Sequence, residues 1–257
     1  MRFLGMGGIA AVAILACASV ARADERKFTY SYEAKTLPKG MWEFEQWATV
    51  RAHREIGDVW FVDLREEFEY GVTDRLTVAG YLNLEVESIR NVPGVKDETE
   101  LEFETVSVEV KYKVSDPSAD PVGVLFYAEV GVGGEEQELE LKLVLSKHLG
   151  PVTLAYNLIF EWEREKDGSE WEKESMLSHT FGASFELMSH WAVGAELVIR
   201  TPYEEYFKVR EESGALVGPN VHYFSESWWI TFTFLVLTRD PDAFEKYEAR
   251  VILGLNF

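Results

Sequence analysis

Four glutamates near the start of the chain are spaced so that their carboxylates could act together. Glu43 and Glu45 are two residues apart, and so are Glu67 and Glu69. In a β-strand this spacing places both side chains on the same face. Facing carboxylates repel, so such pairs need a cation, a shared proton or neighbouring bases. The chemistry to expect is therefore attraction of positive solutes or a network of ion pairs.

Basic side chains fall on the same polar faces of other predicted strands. They are Arg51, Arg65, Lys111, Arg200 and Arg250, and Glu248 precedes the last of them by two residues. In one interpretation the four glutamates form the acidic ring of a cation-preferring constriction. In the other, acids and bases form salt bridges that fill and stiffen a narrow barrel.

The histidines do not suggest catalysis. His222 shares a predicted strand face with Asn220, and a hydrolase embedded in the barrel would depend on His222. Ser178 and His179 are adjacent and therefore point to opposite faces of a strand. The sequence has no cluster with metal-site spacing, no glycine loop for phosphate and no cysteine chemistry. It therefore predicts no enzyme activity, no metal and no cofactor.

Alternation with a period of two runs through almost the whole chain and predicts strands. Val106, Val108 and Val110, for example, alternate with Ser107 and Glu109. Twelve such segments can be counted, with ten or fourteen as alternatives, and an even number is typical of outer-membrane barrels. The predicted fold class is all-β: a single antiparallel up-and-down transmembrane β-barrel over residues 41–257.

The short first loop, near 54–57, predicts the register of the first hairpin. It places Glu43 opposite Glu69, Glu45 opposite Glu67, Trp47 opposite Arg65 and Arg51 opposite Phe61. If the last strand closes on the first, Arg250 lies near Thr49 and Trp47, and Glu248 lies near Arg51. Gln46 and Glu66 break the alternation, because each stands among the apolar residues of its strand.

Alternation alone does not distinguish a soluble sandwich or lipocalin-like barrel from a membrane barrel, whose apolar face points outward. Large aromatic residues at strand ends favour the membrane barrel, because they predict two interfacial girdles. The predicted girdle residues are Trp42, Tyr70, Tyr112, Trp191 and Trp228 at one end, and Trp60, Trp162 and Tyr247 at the other.

The first 23 residues predict a cleaved signal peptide. Arg2 precedes an apolar stretch, and Ala21-Arg22-Ala23 fits a signal peptidase site. Cys17, the only cysteine, lies within this peptide. Residues 24–40 are expected to form a periplasmic N-terminal segment before the barrel. The formal net charge of −20 argues against nucleic acid as a partner.

The chain closes on "YEARVILGLNF", an alternating strand that ends in Phe257. This ending resembles the C-terminal signal that the barrel-assembly machinery of the outer membrane recognises. The stretches "TLPKGMWEFEQWATVR", "EFEYGVTDRLTVAGYLNLE" and "VGPNVHY…WWITFTF" resemble a group of bacterial outer-membrane β-barrels. That group is distantly similar to transporters associated with phenol degradation (the MetA pathway). The resemblance implies a barrel, solute passage and no catalytic residues.

Two functions remain open at this stage, and the embedded hydrolase that would depend on His222 is a remote third. The first is a passive channel or transport-related protein for small solutes in the bacterial outer membrane, with an acidic lumen. The second is a closed structural or interaction barrel whose extracellular loops, near 89–100 and 203–213, bind partners. In both, the expected surroundings are outer-membrane lipid.

Overall fold

The computed structural model describes residues 25–52, 57–168, 170–239 and 244–257. The predicted signal peptide, with Cys17, lies outside these ranges. Within them, no helix is long and apolar enough to cross a membrane. The strands are β1 (Trp42–Ala52), β2 (Asp58–Thr73), β3 (Leu76–Arg90), β4 (Glu98–Ser115), β5 (Gly123–Val132), β6 (Glu136–Leu149), β7 (Val152–Asp167), β8 (Glu170–Met188), β9 (Trp191–Glu204), β10 (Val209–Arg210), β11 (Gly214–Phe224), β12 (Trp228–Arg239) and β13 (Tyr247–Asn256).

All strands belong to one closed antiparallel sheet. Apart from β10, each strand pairs with the next one, so that β9 pairs with β11, and β1 closes the sheet by pairing with β13. The two residues of β10 pair only with the edge of β9. Without β10, twelve strands form the barrel wall. The prediction of an up-and-down barrel of about twelve strands is therefore confirmed.

The predicted registers are confirmed as well. In β1 and β2, Glu43 pairs with Glu69 and Glu45 pairs with Glu67. At the closure, β13 places Arg250 opposite Thr49. A short connection leaves only one register that keeps the alternating apolar residues of both strands on the same face, and for this reason the sequence could predict the pairing.

The two faces of the sheet are inverted relative to a soluble protein. On β4, Val108 and Val110 are 61% and 40% exposed, whereas Glu109 between them is fully buried. Apolar side chains point outward and charged side chains point into the lumen, as in barrels that cross a membrane. The core of this protein is therefore polar and lies inside the barrel.

The two ends of the barrel differ. At the termini end, the backbones of Trp42 and Phe257 exchange hydrogen bonds of 3.2 and 2.9 Å, and several turns have two residues. At the opposite end, called the loop end below, connections such as 205–213 are longer, and β8 extends to 19 residues while β5 has only 10. The loop after β3 spans 91–97, which is shorter than the predicted 89–100.

Residues 25–37, called the N-terminal segment below, lie inside the barrel. Phe28 and Leu37 are fully buried, and nearly every residue between them is buried too. A Cβ atom at Gly182 on β8 would overlap the Phe28 ring, so glycine provides the space for this close approach. The sequence predicts a periplasmic N-terminal segment over residues 24–40, whereas the structure places residues 25–37 in the lumen.

Candidate functional site in the barrel lumen

One carboxylate on β9 holds the N-terminal segment by its backbone. Glu196 accepts hydrogen bonds from the N–H groups of Thr29, Tyr30 and Ser31 at 2.9, 2.9 and 2.8 Å. It also accepts the Thr233 hydroxyl at 2.7 Å. Hydrogen bonds to an ionised acceptor are the stronger kind, so Glu196 is the main anchor of the segment.

Uncharged wall residues satisfy further backbone groups of the segment. The Asn157 amide accepts the Tyr32 N–H at 2.6 Å and donates to the Tyr32 carbonyl at 3.0 Å. The Ser146 hydroxyl accepts the Ala34 N–H at 2.8 Å. The barrel wall thus supplies the partners that a neighbouring strand would otherwise provide, as buried backbone requires.

A third anchor is a carboxylate of the segment itself. Glu33 lies 2.9 Å from the Lys35 ammonium and 3.1 Å from Nε2 of His148, and it accepts the backbone N–H of Lys27 at 3.1 Å. Burial alone would raise the pKa of Glu33. The charge of Lys35, the hydrogen bond with His148 and the charge of Lys27 outweigh burial and hold the pKa well below its usual range.

The four glutamates of the predicted acidic ring meet inside the termini end of the barrel. Glu43, Glu45, Glu67 and Glu69 are each at most 1% exposed. Carboxylate oxygens of Glu45, Glu67 and Glu69 lie within 4.8 Å of one another, close enough to bind one cation together. The indole N–H of Trp229 donates to Glu43 at 2.5 Å.

Two cations face this group of acids. The Lys111 ammonium contacts Glu69 at 2.5 Å. This contact agrees with the interpretation in which acids and bases of the lumen form salt bridges. The second cation, Arg26 of the N-terminal segment, was not among the predicted site residues. Its guanidinium lies 3.7 Å from Glu45 and 4.4 Å from the centre of the Trp47 ring. The N-terminal segment thus adds a second positive charge to the one that Lys111 of β4 provides.

Two of the predicted basic residues form ion pairs farther toward the loop end. Arg51 contacts Asp63 at 2.7 Å and Glu85 at 2.6 Å. Glu248 stands opposite Arg51 in the register of β1 and β13, as predicted, but forms its ion pair with Arg200 at 2.7 Å. Curvature of the wall brings Arg200 and Glu248 together although their strands are not adjacent.

The last two predicted bases are Arg65 and Arg250. Arg65 donates to the Asn83 side chain at 2.8 Å and forms an ion pair with Glu129 at 3.5 Å. Arg250 donates to Thr49 at 2.8 Å, and its guanidinium lies 4.2 Å from the centre of the Tyr30 ring. Arg250 therefore joins the barrel closure to the N-terminal segment.

A cavity of ≈ 360 Å³, called the vestibule below, lies above the N-terminal segment. Tyr30 and Tyr32 of that segment line it together with Trp47. The acidic residues of its lining are Asp63, Glu104, Glu136, Glu138, Glu140, Glu161 and Glu163. Five bases also line it, namely Arg51, Arg65, Lys142, Arg200 and Arg250, so acids outnumber bases seven to five. The N-terminal segment closes one side of this chamber.

Opposed carboxylates cover the vestibule side of β6, β7 and β8. The register places Glu140 opposite Glu161, Glu138 opposite Glu163 and Glu136 opposite Glu165, and β8 adds Glu174 and Glu172 to the last two pairs. The acidic wall comprises Glu136, Glu138, Glu140, Glu161, Glu163, Glu165, Glu172 and Glu174. Among the residues that the structure describes, only Glu140 of this wall forms an ion pair, with Lys142 at 2.5 Å.

Sequence reasoning missed the acidic wall as a site. The signal was present in the alternating glutamates of "EEQELEL" and "EWEREKD". These glutamates form one site only because the two-residue turn at 150–151 aligns β6 and β7 so that each carboxylate faces another.

The predicted girdle residues lie on the outward face at the two ends of the barrel. Trp42 and Tyr70 pair at the termini end, with ring centres 4.5 Å apart. Trp191 lies at the same end, at the start of β9, and Tyr247 begins β13 at the loop end. Contact of these rings with a membrane interface stays a prediction, as does recognition of Phe257 during assembly.

Comparison with solved structures shows which fold this is. The chain is similar to an outer membrane channel of the COG4313 group from Pseudomonas putida F1, with a TM-score of 0.64 and 10% identity over 87% of this chain and 98% of that one. It is also similar to the NanC porin (TM-score 0.52, 11% identity, 84% and 98% covered) and to the beta domain of the Bordetella autotransporter BrkA (0.52, 12%, 84% and 98%). Identities this low show the outer-membrane barrel fold alone.

Comparison with curated protein sequences finds no match. Residues 20–257 match a family described as a family of unknown function (DUF6662), and the chain belongs to that family.

Proposed function

We propose that this member of the DUF6662 family is an outer-membrane barrel that forms a passive channel for small cations. The inverted faces and the shared fold with a channel and a porin support passage through a membrane. Residues 1–23 would be removed on export. The termini end would face the periplasm, as in bacterial barrels generally. Outer-membrane lipid and, through Phe257, the barrel-assembly machinery are the proposed partners.

The acidic wall is the observation that carries the preference for cations. Like charges directly opposite each other destabilise a sheet, and here three successive cross-strand pairs are of that kind. Of the bases that line the vestibule, Arg51, Arg65 and Arg200 pair with acids outside the wall, whereas Lys142 pairs with Glu140 of the wall. The negative charge of the wall is therefore available to solutes, and a charged chamber raises the local concentration of cations.

The position of the N-terminal segment determines whether this channel is open or closed. Trp229 and Trp47 of the barrel wall are almost fully buried together with Tyr32 of the segment, so side chains fill the lumen at that level. We take the described conformation to be the occluded one, in which the vestibule is open toward the loop end only. Passage then requires that residues 25–37 shift away from Glu196.

Current through the purified protein in planar bilayers tests this function. The acidic-wall variant Glu138→Gln/Glu163→Gln should lower the ratio of cation to anion permeability. The matched control Asp74→Asn/Glu226→Gln removes two exposed carboxylates from turns at the termini end, outside the vestibule, and should leave the ratio nearly unchanged.

Each protein is also measured with Glu196→Ala, so that the occluding segment does not hide the selectivity. The proposal would be refuted if neither the wild type nor Glu196→Ala showed ion-selective current above background.

The filled lumen also favours a second candidate, a closed structural or interaction barrel. It predicts that the barrel stays sealed even in Glu196→Ala. It also predicts that changes in the loop at 205–213 abolish binding of a partner without altering permeability.

An enzyme function finds no comparable support. Nδ1 of His222 lies 2.7 Å from the Thr231 hydroxyl, and Nε2 lies 3.7 Å from Glu25. His222 is 1% exposed, so a substrate in the vestibule would not reach it. The absence of catalysis and the link to phenol degradation both stay predictions.

A further inference from the structure

The outward face of β7 and β8 is basic at the loop end, although the inward face of the same strands is the acidic wall. Arg164 pairs with Lys173 in the register, and Lys166 lies two residues farther along the same face. All three are exposed, and none forms an ion pair with a described residue. Arg164 does donate to the Gln137 side chain, and its guanidinium lies 4.8 Å from the Trp171 ring centre.

An apolar groove of ≈ 370 Å³ lies directly beside these cations. Val130, Val132, Leu139 and Trp162 supply its apolar lining, and Gln137, Glu138 and Arg164 line it as well. Trp162 precedes Arg164 by two residues on the same face of β7, so their Cα atoms are roughly 6.6 Å apart along the strand. The cation therefore lies at the end of the apolar lining. The groove therefore offers one apolar compartment and one cationic end.

The loop after β9 forms the far side of the groove. Glu205, Tyr206 and Phe207 all have left-handed backbone conformations, with φ values of 47°, 57° and 67°. Such conformations are strained for residues other than glycine and persist only where the surroundings hold them. Here the Phe207 ring packs 5.6 Å from the Trp162 ring, and its N–H donates to Ser175 at 2.9 Å. The result is that Tyr206 lines the groove.

We propose that this groove binds lipid A, the phosphorylated glycolipid of the outer leaflet, with an acyl chain on Trp162 and Leu139 and a phosphate on Arg164 and Lys173. The planar guanidinium suits a phosphate, with which it can form paired hydrogen bonds, and the lysine adds a second positive charge. The outward orientation places the groove against lipid, and the loop end corresponds to the outer leaflet. This inference rests on the proposed location in the outer membrane.

Charge also argues against a second copy of this chain as the occupant. A symmetric dimer through this groove would bring Arg164, Lys166 and Lys173 of both copies together, and like charges repel. A phosphorylated lipid complements both the cations and the apolar lining in one molecule.

Binding of fluorescent lipid A to the purified full chain in nanodiscs tests the proposal. The wild type should bind bisphosphorylated lipid A at least about tenfold more tightly than dephosphorylated lipid A or phosphatidylglycerol. The variant Arg164→Gln/Lys173→Gln should lose about tenfold in affinity, which corresponds to about 1.4 kcal/mol. The matched control Lys39→Gln/Arg75→Gln removes two exposed cations at the termini end and should bind as the wild type does.

Heat-modifiable migration on gels confirms that each variant is folded. Equal binding of phosphatidylglycerol, or equal losses in the variant and the control, would overturn the assignment. Because binding is measured without current, failure of the channel function leaves this result intact, and failure of lipid binding leaves the channel function intact.

Discussion

Substitution of Glu196 should release the N-terminal segment. In Glu196→Ala, three buried backbone N–H groups lose a charged acceptor. A hydrogen bond to a charged group contributes about 1.5–3 kcal/mol, and water will replace part of what is lost. We expect the free energy that holds the segment to fall by about 3–4 kcal/mol, so that its release becomes roughly 100- to 1,000-fold more frequent.

Hydrogen exchange at the amides of residues 29–31 measures this release directly. Exchange should accelerate by the same factor in Glu196→Ala. The control is Glu186→Gln, because Glu186 also holds the segment through an ion pair with Lys27 at 2.7 Å but its side chain is 46% exposed. An exposed pair contributes about 1 kcal/mol or less, so the control should change exchange by about fivefold at most. If both variants behave alike while the barrel stays folded, Glu196 is not the anchor.

Two further predictions concern stability. Glu33→Gln should lower the free energy of unfolding at pH 7 by about 1–3 kcal/mol, and thermal unfolding measures the change. Because the pKa of Glu33 is lowered by folding, its stabilisation is present above the unfolded value of about 4.3 and is lost as pH falls toward the folded value. The difference between variant and wild type should therefore shrink below pH 4.3, and a constant difference down to pH 2 would contradict this account. Gln46 and Glu66 form a hydrogen bond of 3.0 Å on the outward face. Gln46→Leu/Glu66→Leu should therefore stabilise the barrel in lipid vesicles by about 1–2 kcal/mol, measured by denaturant unfolding. A loss of stability instead would show that this polar pair has a role.

The sequence allowed the barrel wall to be predicted in detail. Alternation distinguishes the two faces, and a short loop fixes the register, so the pairing of Glu45 with Glu67 and the position of Arg250 opposite Thr49 followed from spacing alone. These are local properties of neighbouring strands.

The N-terminal segment could not be predicted in this way. Alternation arises when one face of a strand is buried and the other exposed, but Arg26, Lys27 and Phe28 are consecutive and all buried. A segment enclosed on every side leaves no periodic signal. The ion pair between Arg200 and Glu248 escaped prediction for a related reason, because it depends on the curvature of the closed barrel.

The reversal potential of the Glu196→Ala protein in a tenfold gradient of potassium chloride tests the central claim most directly. A channel dominated by the acidic wall should approach the cation limit of about 59 mV. The addition of Glu138→Gln/Glu163→Gln should move the potential toward zero. A potential near zero before that addition, or one of anion-selective sign, would contradict the account.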